Sequence, residues 1–169
     1  MTPRHLFLVR HAQAAWDQKT PADFDRLLTP VGEADADALA TWLRDHAPPP
    51  DAVISSPAPR ALATADRLTA AWPDAPGVTL EPGLYEAPLD APQRHLAELN
   101  DSWRVVVVVG HNPSLSHCAD WLIGEPTILE LPAGGMVWLE ITAEHWHELT
   151  PGSARVRAVY NPGTDSGAA

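Results

Sequence analysis

The chain has 169 residues, enough to close one sizeable core and too few to make two independent domains the natural expectation. Hydrophobic residues make up 45% and charged residues 20%, a balance too apolar for intrinsic disorder. Eleven Lys plus Arg against 22 Asp plus Glu leave a formal charge of -11, so a nucleic acid would meet net repulsion and is not an expected partner.

Residues 6–9 form a short apolar run, read as a first strand from its β-branched and apolar content and far too short to span a bilayer or build a signal-peptide core. Together with the single cysteine, Cys118, which excludes an intramolecular disulfide, this sets the expectation of a cytoplasmic protein with no membrane partner. Thr29-Pro30 supplies a cap and a proline at the first helical position. Ala36, Leu39, Ala40 and Leu43 then recur at i, i+3, i+4 and i+7, the pattern of an amphipathic helix. A second strand is expected at 52–54. A helix should begin around Ser56-Pro57 and run to Trp72, with Ala61, Ala65, Leu68 and Trp72 on one face. A strand at 78–80 and a helix over 93–102 follow. The five valines of 105–109 lack in/out alternation, which predicts a strand covered on both faces. A helix over 115–123 and strands at 136–141 and 156–160 complete the series.

The 18 prolines cluster at 48–50, 73–76, 82 and 132, together with Gly77, Gly83, Gly134 and Gly135, where the elements should stop. The pattern predicts an α/β fold, a three-layer α/β/α sandwich with a largely parallel central sheet of about six strands. Its domain spans 1–160, followed by a small, polar, flexible tail over 161–169. In such sheets ligands lie beyond the carboxyl ends of the strands.

Two strands run into the same residue type. The first ends in Arg10-His11, and the valine strand ends in Gly110-His111-Asn112-Pro113. The strand at 52–54 leads through Ser55-Ser56-Pro57 to Arg60 at the start of a helix, on the same rim. Two imidazoles and two guanidiniums therefore converge. Such a cluster repels itself unless an anion neutralises it, and a phosphoryl group with three equatorial oxygens meets that demand. Nearby guanidiniums also depress the pKa of His11, keeping it neutral and nucleophilic. Lys19 is the sole lysine and no Gly-Lys-Ser/Thr loop is present, so the anion site must be built from Arg, His and backbone N–H groups.

Three blocks, Leu8-Val9-Arg10-His11-Ala12, Ser55-Ser56-Pro57-Ala58-Pro59-Arg60-Ala61 with Thr64-Ala65, and Val109-Gly110-His111-Asn112-Pro113, resemble the signatures of the histidine phosphatase superfamily, with its phosphoglycerate-mutase-like fold. The short length, Arg-His-Ala in place of Arg-His-Gly, and the stretch Asp23-Phe24-Asp25-Arg26-Leu27-Leu28-Thr29-Pro30-Val31-Gly32 resemble its small SixA-type branch, the phosphohistidine phosphatases. The resemblance implies that His11 is the nucleophile and that Arg10, Arg60 and His111 hold the phosphoryl oxygens. It implies a proton donor at Glu86, in Gly83-Leu84-Tyr85-Glu86-Ala87. It implies no cofactor and no metal, and as substrate a phosphorylated protein or a small phosphorylated molecule. Asp17 stands where mutases often carry Asn, which argues against mutase-like contacts.

Other residues invite competing readings. His145-Trp146-His147 lacks a nearby third ligand for a metal. Asp35-Ala36-Asp37 lies within a helix, not at the strand end that an aspartyl nucleophile needs. Cys118 is followed six positions later by Gly124, where a tyrosine phosphatase would need Arg, and reads as core. Of the seven tryptophans, Trp16 alone lies where it could wall a substrate pocket. A phosphomonoesterase or mutase of the same superfamily and a catalytically silent phosphate-binding module are the rival functions.

Overall fold

A computed structural model describes residues 2–16 and 22–164. Asp17 and residues 165–169 of the expected tail lie outside the described residues. Six strands, β1 (Arg4–Arg10), β2 (Ala52–Ser55), β3 (Val78–Leu80), β4 (Val105–Gly110), β5 (Met136–Ile141) and β6 (Ala154–Tyr160), form one sheet in the order β3-β2-β4-β1-β5-β6. The β3-β2, β2-β4 and β4-β1 pairs are parallel, whereas β5 and β6 join antiparallel. The sheet is thus mostly parallel, as the alternating strands and helices predicted.

Alternation along the strands divides the core into two layers. Phe7 and Val9 of β1 and Val105, Val107 and Val109 of β4 face α1 (Pro30–His46) and α2 (Pro59–Thr69), meeting Leu39, Leu43, Ala61, Ala65 and Leu68. Leu6, Leu8, Val106 and Val108 face α3 (Ala91–Ala97) and α4 (Ser114–Ile123), meeting Leu96, Leu115, Cys118 and Leu122. Every residue of β4 is buried, because helices cover it on both faces and strands flank both edges. Among the described residues no helix is long and apolar enough to cross a membrane.

Thr29 caps α1 as its sequence requires: the Thr29 Oγ1 accepts from the Gly32 N–H at 3.0 Å, with Pro30 at the first position. The expected start of α2 is corrected from Ser56-Pro57 to Pro59. Ala58 precedes a proline and is held extended (ψ 131°), since the proline ring disfavours helical backbone before it. Trp72 lies beyond the end of α2 yet is still buried. The helix expected over 93–102 occupies Ala91–Ala97, with Pro92 in its first turn. The α4 helix ends at Gly124 in the left-handed conformation (φ 93°), which glycine adopts without a Cβ clash.

Candidate active site

The β1–β4 register places Arg10 opposite Gly110, and the His11 N–H continues the ladder by donating to the Gly110 carbonyl at 3.0 Å. His11 and His111, a hundred residues apart, are therefore neighbours, with ring centroids 5.1 Å apart. The β2 strand adds the third edge: the Ser56 N–H donates to the Val109 carbonyl at 3.0 Å. Two residues of loop later, α2 begins and carries Arg60 in its first turn, 4% exposed.

The His11 Nδ1 lies 2.8 Å from the Ala12 carbonyl oxygen. A carbonyl only accepts, so Nδ1 carries the proton and Nε2 presents its lone pair. That Nε2 faces the Arg60 Nε at 3.4 Å. Ala12 is itself fixed, since its N–H donates to the Thr64 Oγ1 at 3.0 Å, and that hydroxyl donates to the Arg60 carbonyl at 2.8 Å. One threonine thus ties the loop that carries His11 to the helix that supplies the guanidinium. Burial, with the Arg60, Arg10 and Arg26 charges adding to it against the bond to Ala12, pushes the His11 pKa down to about 4.

His111 is oriented in the same way. Its Nε2 lies 2.7 Å from the Ser56 Oγ and its Nδ1 3.5 Å from the Arg60 Nη2. Because Arg60 only donates, the pattern assigns the lone pair to Nδ1 and the proton to Nε2, donated to Ser56. Burial first, then the His11 and Arg60 charges, push the His111 pKa down to about 3, with Asp23 opposing. Both rings are therefore neutral at physiological pH.

Arg10 ends β1 and donates from Nη1 to the Leu131 carbonyl at 2.8 Å. The same carbonyl accepts from the Asn112 Nδ2 at 2.8 Å. The Arg10 Nε is buried with no hydrogen-bond partner. A buried donor left alone is costly.

Two residues of the cleft, Asp23 and Tyr85, escaped assignment from sequence. Asp23, in a short 3-10 turn at Asp23–Asp25, grips the outer edge of Arg60: the Nη1 donates to its backbone oxygen at 2.8 Å and the Nη2 to its Oδ2 at 2.9 Å. The Tyr85 hydroxyl donates to the same Oδ2 at 2.9 Å, and the Arg26 Nη1 donates to Oδ1 at 3.1 Å. Partial burial works to raise the Asp23 pKa. Bonds from Tyr85, Arg26 and Arg60, with the Arg60 charge, outweigh it and hold the carboxyl below its ordinary 3.8. The presence of Asp23 in the quoted stretch was visible, but not its contact with Arg60, which depends on how two distant segments pack.

These groups line a cleft of about 470 Å³ together with Tyr85, Glu86, Leu89 and Pro113. Glu86 stands exposed at its lip in a left-handed backbone (φ 47°). Trp16 walls an adjoining cavity of about 640 Å³ that shares Arg10, His11 and Arg26 with the cleft's lining, and the Arg26 guanidinium stacks 3.5 Å from its ring centroid. His145 and His147 lie elsewhere, stacked on each other, with the His145 Nδ1 3.0 Å from the Asp101 Oδ2. Among the described residues no three His, Cys, Asp or Glu side chains gather as a metal site. Asp37 pairs with Arg67 on the surface of α1 at 2.8 Å, and Cys118 is buried in the core with its pKa pushed up by burial.

Two strand-end histidines and the guanidiniums of Arg10 and Arg60 thus share one rim of a mostly parallel sheet in an α/β domain. The profile of the histidine phosphatase superfamily (branch 1) matches residues 6–104, and the chain belongs to that superfamily, its fold and block pattern being those of the SixA-type branch. A candidate phosphohistidine phosphatase SixA from Nakamurella multipartitia superposes with a TM-score of 0.82 at 28% identity, over 97% of this chain and 99% of that one. The Agrobacterium tumefaciens protein of the same description gives 0.82 at 26% identity, over 96% and 100%. In sequence, an uncharacterised Mycobacterium tuberculosis protein is 34% identical over 91% of this chain and 99% of its own length. A mitochondrial serine/threonine-protein phosphatase of Xenopus laevis, PGAM5, is 38% identical over 42% of this chain and 25% of its own.

Proposed function

We propose that the protein is a cytoplasmic phosphatase that transfers a phosphoryl group to His11 and then to water, with phosphohistidine as its substrate. The observation that carries this reading is the His11 Nε2 lone pair, fixed by the Nδ1 bond to Ala12 and aimed into a site where Arg60 stands 3.4 Å away. In the first step Nε2 attacks phosphorus, the P–N bond of a substrate imidazole already protonated on its other ring nitrogen breaks, and neutral imidazole departs with the electron pair. In the second, water attacks the phosphohistidine, the P–N bond breaks, and His11 and inorganic phosphate are released. Each transfer inverts phosphorus.

Arg10, Arg60 and a His111 protonated on Nδ1 supply the positive charge that the three oxygens need as charge builds. Since His111 is neutral beforehand, arrival of the anion draws a proton onto Nδ1 while Nε2 keeps its bond to Ser56. Cofactor independence belongs to the same proposal, as these cations do the work that Mg²⁺ does in other phosphoryl transfers.

Two observations support phosphohistidine over an alkyl phosphate. Asp23, the carboxylate bonded to Arg60, is held ionised and has no proton to give, so an alkoxide would have to draw its proton from Glu86 at the lip, whereas an imidazole already protonated on its other nitrogen leaves unaided. The two structures described as candidate SixA proteins cover nearly the whole chain. A mutase would need spare cations for a second anionic group. Arg26 has its donors engaged by Asp23 and the Ala14 and Ala15 carbonyls.

Rapid quenching with phosphorus-labelled phosphohistidine peptide tests the reading. Label should be trapped on His11, stable to alkali and lost in acid. Label retained undiminished in His11→Ala, or a wild type that turns over alkyl phosphates far better than phosphohistidine, would overturn it.

A further inference from the structure

Beside the catalytic cleft runs a second groove of about 590 Å³, walled by Leu89, Pro113, Trp121, Pro126, Leu129 and Pro151. Leu89 and Pro113 also wall the cleft, so the two are one continuous depression. The groove's volume lies within the ~300–1,000 Å³ usual for ligand clefts. Among the described residues, its charged side chains are Asp120 and Glu125, and no Lys or Arg lines it. Glu130 flanks it on the same loop and Glu86 on the lip of the cleft, both exposed. His117 is its remaining ionisable group.

The backbone carries a second sign of purpose. Among the described residues, Glu86 (φ 47°) and Leu129 (φ 59°) are the non-glycine residues at positive φ, and they stand on the two rims of this depression. A leucine there is strained by its Cβ, and such strain persists only where the surroundings over-determine it. Here the Asp120 carboxylate does so, accepting the Thr127, Ile128 and Leu129 N–H groups at 3.1, 2.6 and 3.1 Å. The clamped loop holds the Leu129 side chain out, 72% exposed. An apolar side chain on a backbone already ordered loses little entropy on contact, the condition under which a single contact contributes most to affinity.

We infer that this groove docks the polypeptide that carries the phosphorylated residue, and that the docked segment combines apolar side chains with flanking Lys or Arg. The inference rests on the phosphatase reading for the residue that enters the cleft, and on continuity and charge for the rest. The lining is apolar, its fixed charges are carboxylates, and it opens directly onto the nucleophile's cleft. A second copy of this chain is a poorer occupant, since it brings another -11 of charge to an acidic rim.

Two peptides with one central histidine, flanked by Leu and Arg or by Ser and Glu, provide the test, with phosphoramidate as a substrate that has no flanks. Calorimetric titration of the unphosphorylated peptides onto the wild type reads the groove without turnover. The Leu-Arg peptide should bind at least about tenfold more tightly, the scale of one well-packed contact. Leu129→Asn, which removes the apolar contact without adding charge, and Glu125→Lys should each erase most of that preference. Asn tolerates positive φ better than Leu, so Leu129→Asn should keep the wild-type melting temperature. With phosphohistidine peptides the same preference should appear in kcat/KM, while phosphoramidate turnover stays within about twofold in both variants. Equal binding of the two peptides overturns the docking role even if all three substrates are hydrolysed. A wild-type dimer broken by Leu129→Asn overturns it in favour of self-association. Selective binding without hydrolysis of any P–N substrate leaves the groove standing and overturns the reading of the reaction.

Discussion

Lowering the pH from 8 to 5 should cost the folded protein about 4 kcal/mol through His11 and His111 alone. Both rings have an ordinary pKa of 6.5, and the fold pushes them down to about 4 and about 3. Unfolded chains therefore bind protons below pH 6.5 that the folded protein refuses, so stability is full above that value. It falls through the window from 6.5 to 4 for His11 and from 6.5 to 3 for His111. One pH unit inside the window is worth about 1.4 kcal/mol per ring, which integrates to about 2 kcal/mol per ring at pH 5. Each ring depresses the other only when charged, and at pH 5 both are still neutral in the fold, so the two contributions add. Urea denaturation at pH 8 and pH 5 in oxyanion-free buffers measures this against His11→Asn, His111→Asn and the double variant. Carboxylates titrate alike in all four proteins and cancel. The wild type should lose about 2 kcal/mol more than either single variant and about 4 more than the double. Parallel pH profiles for wild type and double variant would refute the burial of two neutral rings.

Glu86→Gln should leave phosphohistidine hydrolysis within about twofold while cutting alkyl phosphate hydrolysis by about 10² to 10⁴, the range of a general acid; equal losses on both substrates refute that division. Arg60→Ala and His111→Ala should each lower kcat by about 10² or more, and a raised KM at unchanged kcat would mean that they only bind substrate. Asp23→Ala frees the outer edge of Arg60 and should lower kcat by about tenfold or more, with unchanged kinetics telling against its orienting role. Activity should survive exhaustive EDTA treatment, and a loss beyond about tenfold restored by Mg²⁺ or Zn²⁺ would reject cofactor independence.

Much of this arrangement is legible in the sequence because two signals coincide. The valine run of β4 and the apolar run of β1 are strong local patterns, and both stop at a histidine. Parallel register then does the rest, bringing Arg10 and Gly110 opposite each other. Where the reading fails, the cause is nonlocal or stereochemical. The start expected for α2 around Ser56-Pro57 falls too early, because Pro59 holds Ala58 extended. The grip of Asp23 on Arg60 has no local signature. It joins a 3-10 turn to a helix 37 positions away, and only packing brings them together. Leu129 at positive φ is equally hidden, since nothing in its neighbours' identities announces a carboxylate clamp from Asp120.

The site's dependence on β1, β2 and β4 has a further consequence. These strands are the buried middle of the sheet, and the His11 N–H is bonded to the Gly110 carbonyl, so the strand ends that pair the two imidazoles separate only when the middle of the sheet opens. Ligand occupancy and global unfolding are therefore linked by mass action. An oxyanion present at 100 times its Kd should stabilise the entire domain by about 2.7 kcal/mol. Amide exchange at residues 105–110 should slow by the same factor as the unfolding equilibrium, and the melting curve becomes a direct gauge of which phosphorylated molecules the cleft accepts.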